Sequence, residues 1–87
     1  MPYIEESARE AIRNGGTPLS PGELNYVLQG YVNDWIETHK LSYTSVNAAI
    51  GVLECLKLEL YRRVAAPYEE IKIKANGDVF SKSLLSV

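Results

Sequence analysis

The sequence predicts an all-α fold, a small three- to four-helix bundle, and three observations predict it. Apolar residues recur at three- and four-residue spacing through three long segments. The stretches between them, Asn14-Gly15-Gly16-Thr17-Pro18, Ser20-Pro21-Gly22, Pro67 and Asn76-Gly77, are turn-forming and cut the chain into helix-sized pieces. Ser20, Pro21 and Glu23 together spell a helix start: a hydroxyl cap, a proline whose missing N–H costs nothing at the first helical position, and a glutamate able to reach back to the cap's amide. With 87 residues, 46% of them apolar and 23% charged, the chain has room for one domain spanning residues 1–87.

The first helix is expected over about 2–14. It places Ile4, Ala8, Ala11 and Ile12 on one face and ends where Gly15 supplies a C-terminal glycine. The second is expected over 21–38, with Leu24, Val27, Leu28, Tyr31, Val32, Trp35 and Ile36 on its buried side and Gln29, Asn33, Asp34 and Glu37 toward water. The third, over 44–66, is apolar on two sides. Val46, Ala49, Ile50, Leu53, Leu56, Leu60 and Val64 form a core face that pairs antiparallel with the second helix. The opposite row, Ala48, Gly51, Val52, Cys55 and Leu58 with Glu59 at its end, is the expected oligomer interface. A helix interior glycine costs about 1 kcal/mol relative to alanine, so Gly51 among small neighbours suggests that another backbone comes close. A chain of this size buries only about 60% of its unfolded surface, which makes a homo-oligomer the expected working form.

After Pro67 two readings stand. Pro67, Glu69, Glu70, Lys72, Lys74 and Gly77 describe a helix over 67–76 with charges matched to its dipole. The alternation Ile71, Ile73, Ala75 before Asn76-Gly77 describes a hairpin. The helix is the favoured one. In the tail, 81–87, Leu84, Leu85 and Val87 are apolar enough to dock on a surface.

Several classes of function are excluded or disfavoured by composition. Cys55 is the sole cysteine, so no intrachain disulfide forms, and without further cysteines or a histidine cluster no zinc site is expected. No metal or other cofactor is expected. No apolar run approaches the roughly 20 residues that cross a bilayer, so no membrane span is expected. Met1-Pro2-Tyr3-Ile4-Glu5-Glu6 has no basic leader running into an apolar stretch; no secretory signal is expected, and the setting inferred is the cytoplasm. The net charge of −2, from 11 acidic and 9 basic side chains, gives no long-range pull on nucleic acid, although Lys72, Lys74 and Lys82 could make a local basic face.

The densest set of functional groups is Lys57, Tyr61, Arg62, Arg63 and Tyr68. Guanidinium groups grip phosphate or carboxylate bidentately and tyrosine offers a face for a ring, so these five residues are the candidate ligand-binding site. The plainer reading is surface ion pairing, with Glu54 reaching Lys57 and Glu59 reaching Arg62 and Arg63 along the helix. Glutamates at helical spacing also suggest magnesium-holding nucleotide pyrophosphatases. Such a site needs inward-facing acids from two helices, whereas Asp34 and Glu37 fall on the polar side of the second. His39 suits a helix C-terminus, and Cys55 suits packing as a small apolar residue. No catalytic residue is assigned.

Two blocks carry a resemblance: Pro21-Gly22-Glu23-Leu24-Asn25-Tyr26, and Asn47 to Pro67 followed by Tyr68-Glu69-Glu70 and Asn76-Gly77-Asp78-Val79. They resemble a group of small uncharacterised bacteriophage and prophage proteins over about two thirds of the chain. The resemblance implies an accessory protein of the host cytoplasm that binds a host factor or captures a small ligand, with an anti-defence role, and it transfers no catalytic residue. The function expected is therefore non-enzymatic binding of a host factor or of a small anionic ligand such as a nucleotide. The alternatives are a metal-dependent nucleotide-acting enzyme using the glutamates, and a nucleic-acid-binding regulator.

Overall fold

The computed structural model describes residues 2–85; Val87, expected to dock beside Leu84 and Leu85, lies outside the described residues. The elements in chain order are α1 (Glu6–Arg13), α2 (Pro21–His39), α3 (Tyr43–Leu60), a single π-helical turn (Tyr61–Ala65), α4 (Ala66–Asn76) and the short α5 (Lys82–Leu85). Among the described residues there is no strand, so the fold class is all-α. The chain divides into two units, Met1–Ala49 and Ile50–Val87, and the boundary falls inside α3.

In the first unit each helix end is closed by a local device. α1 stops in a Schellman motif: the Gly15 N–H donates to the Ile12 carbonyl at 3.0 Å and the Gly16 N–H to the Ala11 carbonyl at 2.9 Å. Gly15 sits at φ 92°, and a Cβ on Gly16 would lie 2.7 Å from the Ala11 oxygen, so both positions call for glycine. α2 starts as expected at Ser20, whose Oγ accepts the Glu23 N–H at 3.1 Å. Glu23 reaches back one residue further than expected. Its Oε1 accepts the Leu19 N–H at 3.4 Å, while its Oε2 takes the Ser20 hydroxyl proton at 3.2 Å. At the other end, His39 Nδ1–H donates to the Trp35 carbonyl at 2.8 Å and its ring stacks on the Trp35 indole at 4.2 Å, the C-terminal role expected of it.

α3 opens on a reciprocal pair of serines. The Ser45 N–H donates to Ser42 Oγ and the Ser42 N–H to Ser45 Oγ, both at 3.0 Å, and the Ser45 hydroxyl closes the preceding turn on the Lys40 carbonyl at 2.8 Å. That turn holds Lys40 at φ 67°. Ser45 and, one helical turn later, Ala49 are the buried residues among those described.

The packing differs from expectation in three ways. α1 begins at Glu6 rather than near residue 2, which leaves Ile4 ahead of the helix. The helix that packs on α2 in the first unit is α1, not the third helix. Leu24, Leu28, Tyr31 and Trp35 on α2 are exposed, as are Ile50, Leu53, Leu56, Leu60 and Val64 in the second unit.

In the second unit the helix does not end at residue 66. It runs without interruption from α3 through the π-turn into α4, with Leu60, Ala65 and Ala66 all in right-handed helical conformation. Pro67 explains the π-turn. In an unbroken α-helix its ring would meet the Arg63 carbonyl, and that carbonyl would lose its donor. One wider turn just ahead, in which the Ala66 N–H donates to the Tyr61 carbonyl five residues back, moves the ladder past the proline. The 67–76 segment is accordingly helix and not hairpin, closed by Gly77 at φ 89° with its N–H on the Ile73 carbonyl at 2.8 Å.

Candidate functional site

The candidate residues fall on the last turns of α3, the π-turn and the first turn of α4, all inside the second unit. Lys57 lies 3.4 Å from Glu54, and Arg62 Nη2 lies 2.7 Å from Glu59 Oε1. Both are i,i+3 pairs between exposed groups, worth about 0–1 kcal/mol each. They also cancel much of the positive field that an anion would meet. Arg63 has no acidic partner among the described residues. Tyr61 and Tyr68 are each more than half exposed, and Lys72 Nζ stands 5.5 Å from the centre of the Tyr68 ring.

The π-turn matters here because it contains Tyr61, Arg62 and Arg63. A π-turn has more residues per turn than an α-helix, so the Cα–Cβ bonds of successive residues leave the axis at a smaller angle. The result is a ladder of forked donors and ring faces on a convex helix.

A concave surface lies elsewhere. A groove of about 690 Å³ lies in the first unit, lined by Pro2, Tyr3, Arg9, Tyr26, Tyr31 and Asp34 among others. Arg9 is half-buried; its Nε donates to the Ile4 carbonyl at 3.1 Å and its guanidinium stands 5.2 Å from the centre of the Tyr26 ring. One edge of the fork is thus fixed while its other N–H groups remain available. Nothing would stand within 4 Å of a Cβ on Gly30, so the wall there is open backbone. Sequence reasoning missed this groove. Its aromatic and cationic members come from the residues before α1, from α1 and from α2, and each alone reads as an ordinary helix-surface residue.

Neighbouring charge chemistry is local. Glu6 pairs with Arg13 two turns along; the hydrogen bond from that guanidinium, reinforced by its charge, holds the Glu6 carboxyl below its ordinary pKa and raises Arg13. Among the described residues no three histidine, cysteine, aspartate or glutamate side chains converge as metal ligands would. No described helix is long and apolar enough to cross a membrane. Among the described residues of the single chain Cys55 is exposed, and a Cβ on Gly51 would meet nothing within 4 Å.

A family model described as "Domain of unknown function (DUF6899)" matches residues 1–79. The chain belongs to this family. The match runs from the first residue to just past α4, so both the groove and the arginine ladder are part of the DUF6899 domain. No curated protein and no solved structure matches the chain significantly.

Proposed function

We propose that this DUF6899 protein is a non-enzymatic binding module, a phage-type accessory protein of the host cytoplasm that captures a small anionic ligand such as a nucleotide in an anti-defence role. The observation that carries this reading is Arg63, a guanidinium without an acidic partner among the described residues, set beside Arg62 in a π-turn and flanked by Tyr61 and Tyr68. An incoming phosphate takes the free fork of Arg63 and competes with Glu59 for Arg62, Lys57 adds a point charge, and a tyrosine ring stacks on the base. π-turns recur at functional sites, which also favours this stretch.

A second location for the same ligand is favoured by Arg9. Its guanidinium is held in a groove whose volume suits a small molecule, with tyrosine faces beside it. Calorimetric titration with adenine and guanine nucleotides tests both. The expected result is binding that Arg62→Ala/Arg63→Ala abolishes while the thermal melt stays put. Loss with Arg9→Ala alone moves the site to the groove, and binding untouched by all three changes refutes the reading. Metal-dependent turnover of nucleoside triphosphates in the same tubes would replace the binding module with an enzyme.

A further inference from the structure

The groove of the first unit carries both signs of charge, and neither is matched. Its lining, from Pro2 to Asp34, lies wholly within Met1–Ala49. Arg9 is fixed at one point, with its Nε–H on the Ile4 carbonyl and its guanidinium beside the Tyr26 ring. The Asp34 carboxylate accepts from the Asn33 amide at 3.4 Å, and neither Asp34 nor Arg9 joins an ion pair among the described residues. Asp34 repels a phosphate set on Arg9, whereas a chain with an acid and a base at the right interval satisfies both. We propose that this groove docks an extended peptide segment of another protein, with an acidic side chain on Arg9, a large apolar one over Gly30 and a basic one on Asp34.

The interval comes from α2. Tyr26, Gly30 and Asp34 follow at i, i+4 and i+8 and share one face. Asp34 therefore lies about 12 Å along the axis from Tyr26, whose ring marks the position of Arg9, at 1.5 Å per residue. In an extended chain every second side chain points the same way and the rise is about 3.3 Å, so residues i and i+4 present their side chains on one side, about 13 Å apart. The residue between them, i+2, falls opposite Gly30. Nothing stands there within 4 Å of a Cβ, and the exposed rings of Tyr3 and Tyr31 line the same groove, so a large apolar side chain fills the gap. The pattern recognised is acid-x-apolar-x-base or its reverse.

Gln29 and Asn33 supply the backbone contacts. They line the groove one position before Gly30 and Asp34, about 6 Å apart along the axis, close to the roughly 7 Å between alternate peptide groups of an extended chain. Their amide nitrogens are engaged within α2, Gln29 with Asn25 at 3.2 Å and Asn33 with Asp34 and Glu37. Their side-chain oxygens accept no hydrogen bond among the described residues, and they suit the N–H groups of a strand. Tyrosine and arginine, the side chains that recur at the centre of protein interfaces, make up much of the remaining wall. This proposal does not depend on the nucleotide reading at Arg62 and Arg63.

Fluorescence anisotropy of labelled, end-blocked peptides on the full chain tests the pattern. The probes are Ala-Glu-Ala-Phe-Ala-Lys-Ala, its reverse, and the same residues reordered as Ala-Glu-Ala-Phe-Lys-Ala-Ala, whose charges leave opposite sides of the strand. Saturable binding of one of the first two is expected, with the reordered peptide about fivefold weaker. Asp34→Lys is expected to weaken the bound peptide by a similar factor and to favour instead the peptide with glutamate at both charged positions, a reversal that misfolding does not produce. Gly30→Leu fills the space over α2 and favours helix, so binding is expected to be lost while the thermal melt holds. Arg62→Ala/Arg63→Ala is expected to leave peptide binding unchanged. Binding of neither order, equal binding of the reordered peptide, or an Asp34→Lys chain with unaltered preference would each overturn the proposal. So would a chain that takes no peptide but binds nucleotide through Arg9, which gives the groove to the small ligand.

Discussion

The units Met1–Ala49 and Ile50–Val87 are built on opposite plans. In the first, separate helices are ended and restarted by local devices: the glycines after α1, Ser20 with Glu23 before α2, His39 at its end, and the serine pair before α3. In the second, a single helical run passes a proline without stopping and is closed only by Gly77, and none of its described residues is buried. The comparison teaches where the order of each comes from. The first unit is held by capping bonds and by the packing of α1 on α2, and the second by its continuous backbone ladder.

The largest expected effect strikes the first plan. Ser45 is 5% exposed, caps the Ser42 amide and satisfies the Lys40 carbonyl, so Ser45→Ala removes a cap and takes a hydrogen-bond partner from both groups. The cost is about 2 kcal/mol by melting or urea titration. Hydrogen exchange should quicken in residues 40–49 and stay unchanged over 50–76. Equal quickening in both would show that the two units share one cooperative core and would break the comparison.

A smaller effect of opposite sign belongs to the second plan. Pro67→Ala returns the missing donor and removes the ring from the Arg63 carbonyl, so the π-turn relaxes to α. A regular helix interior would gain about 3 kcal/mol from this change. Because the π-turn already absorbs most of the conflict, the expected gain is about 1 kcal/mol, with slower exchange of the amides from Tyr61 to Ala66. It should also weaken nucleotide binding severalfold, since the angular register of Arg62 and Arg63 about the helix then changes. A gain in stability with binding intact would separate the proline from the site.

How much of this was legible follows the same division. Capping is local chemistry, so Ser20, Pro21, Gly15 and Gly77 announced their roles within a few residues of the bonds they make. The π-turn was not legible, because a proline after an apolar helix reads as the start of something new; only the backbone shows the ladder stepping around it. The core was legible only as a set of faces, for a related reason. Periodicity identifies a face that avoids water, as at Leu53, Leu56 and Leu60, without saying whether the same chain covers it. Arg62 and Arg63 were found because they are adjacent, while Arg9, Tyr26 and Tyr31 were not, because tertiary packing of α1 on α2 brings them together.

The smallest expected effect sharpens the first plan by its dependence on pH. The Glu6 carboxyl sits below its ordinary value of 4.5, chiefly because the Arg13 guanidinium donates to it and secondarily because of that group's charge. A carboxyl whose pKa is lower folded than unfolded adds stability that is complete above the ordinary range and is lost as pH falls through the folded value. Glu6→Gln should therefore melt slightly below the parent near neutrality, and the two curves should merge on acidification below the carboxylate range. Both side chains are open to solvent, so added salt should narrow the neutral-pH gap as well. A gap that persists in acid would mean that Glu6 supports α1 through its position in the first turn and not through Arg13, and the ion pair would then drop out of the account of what holds the first unit together.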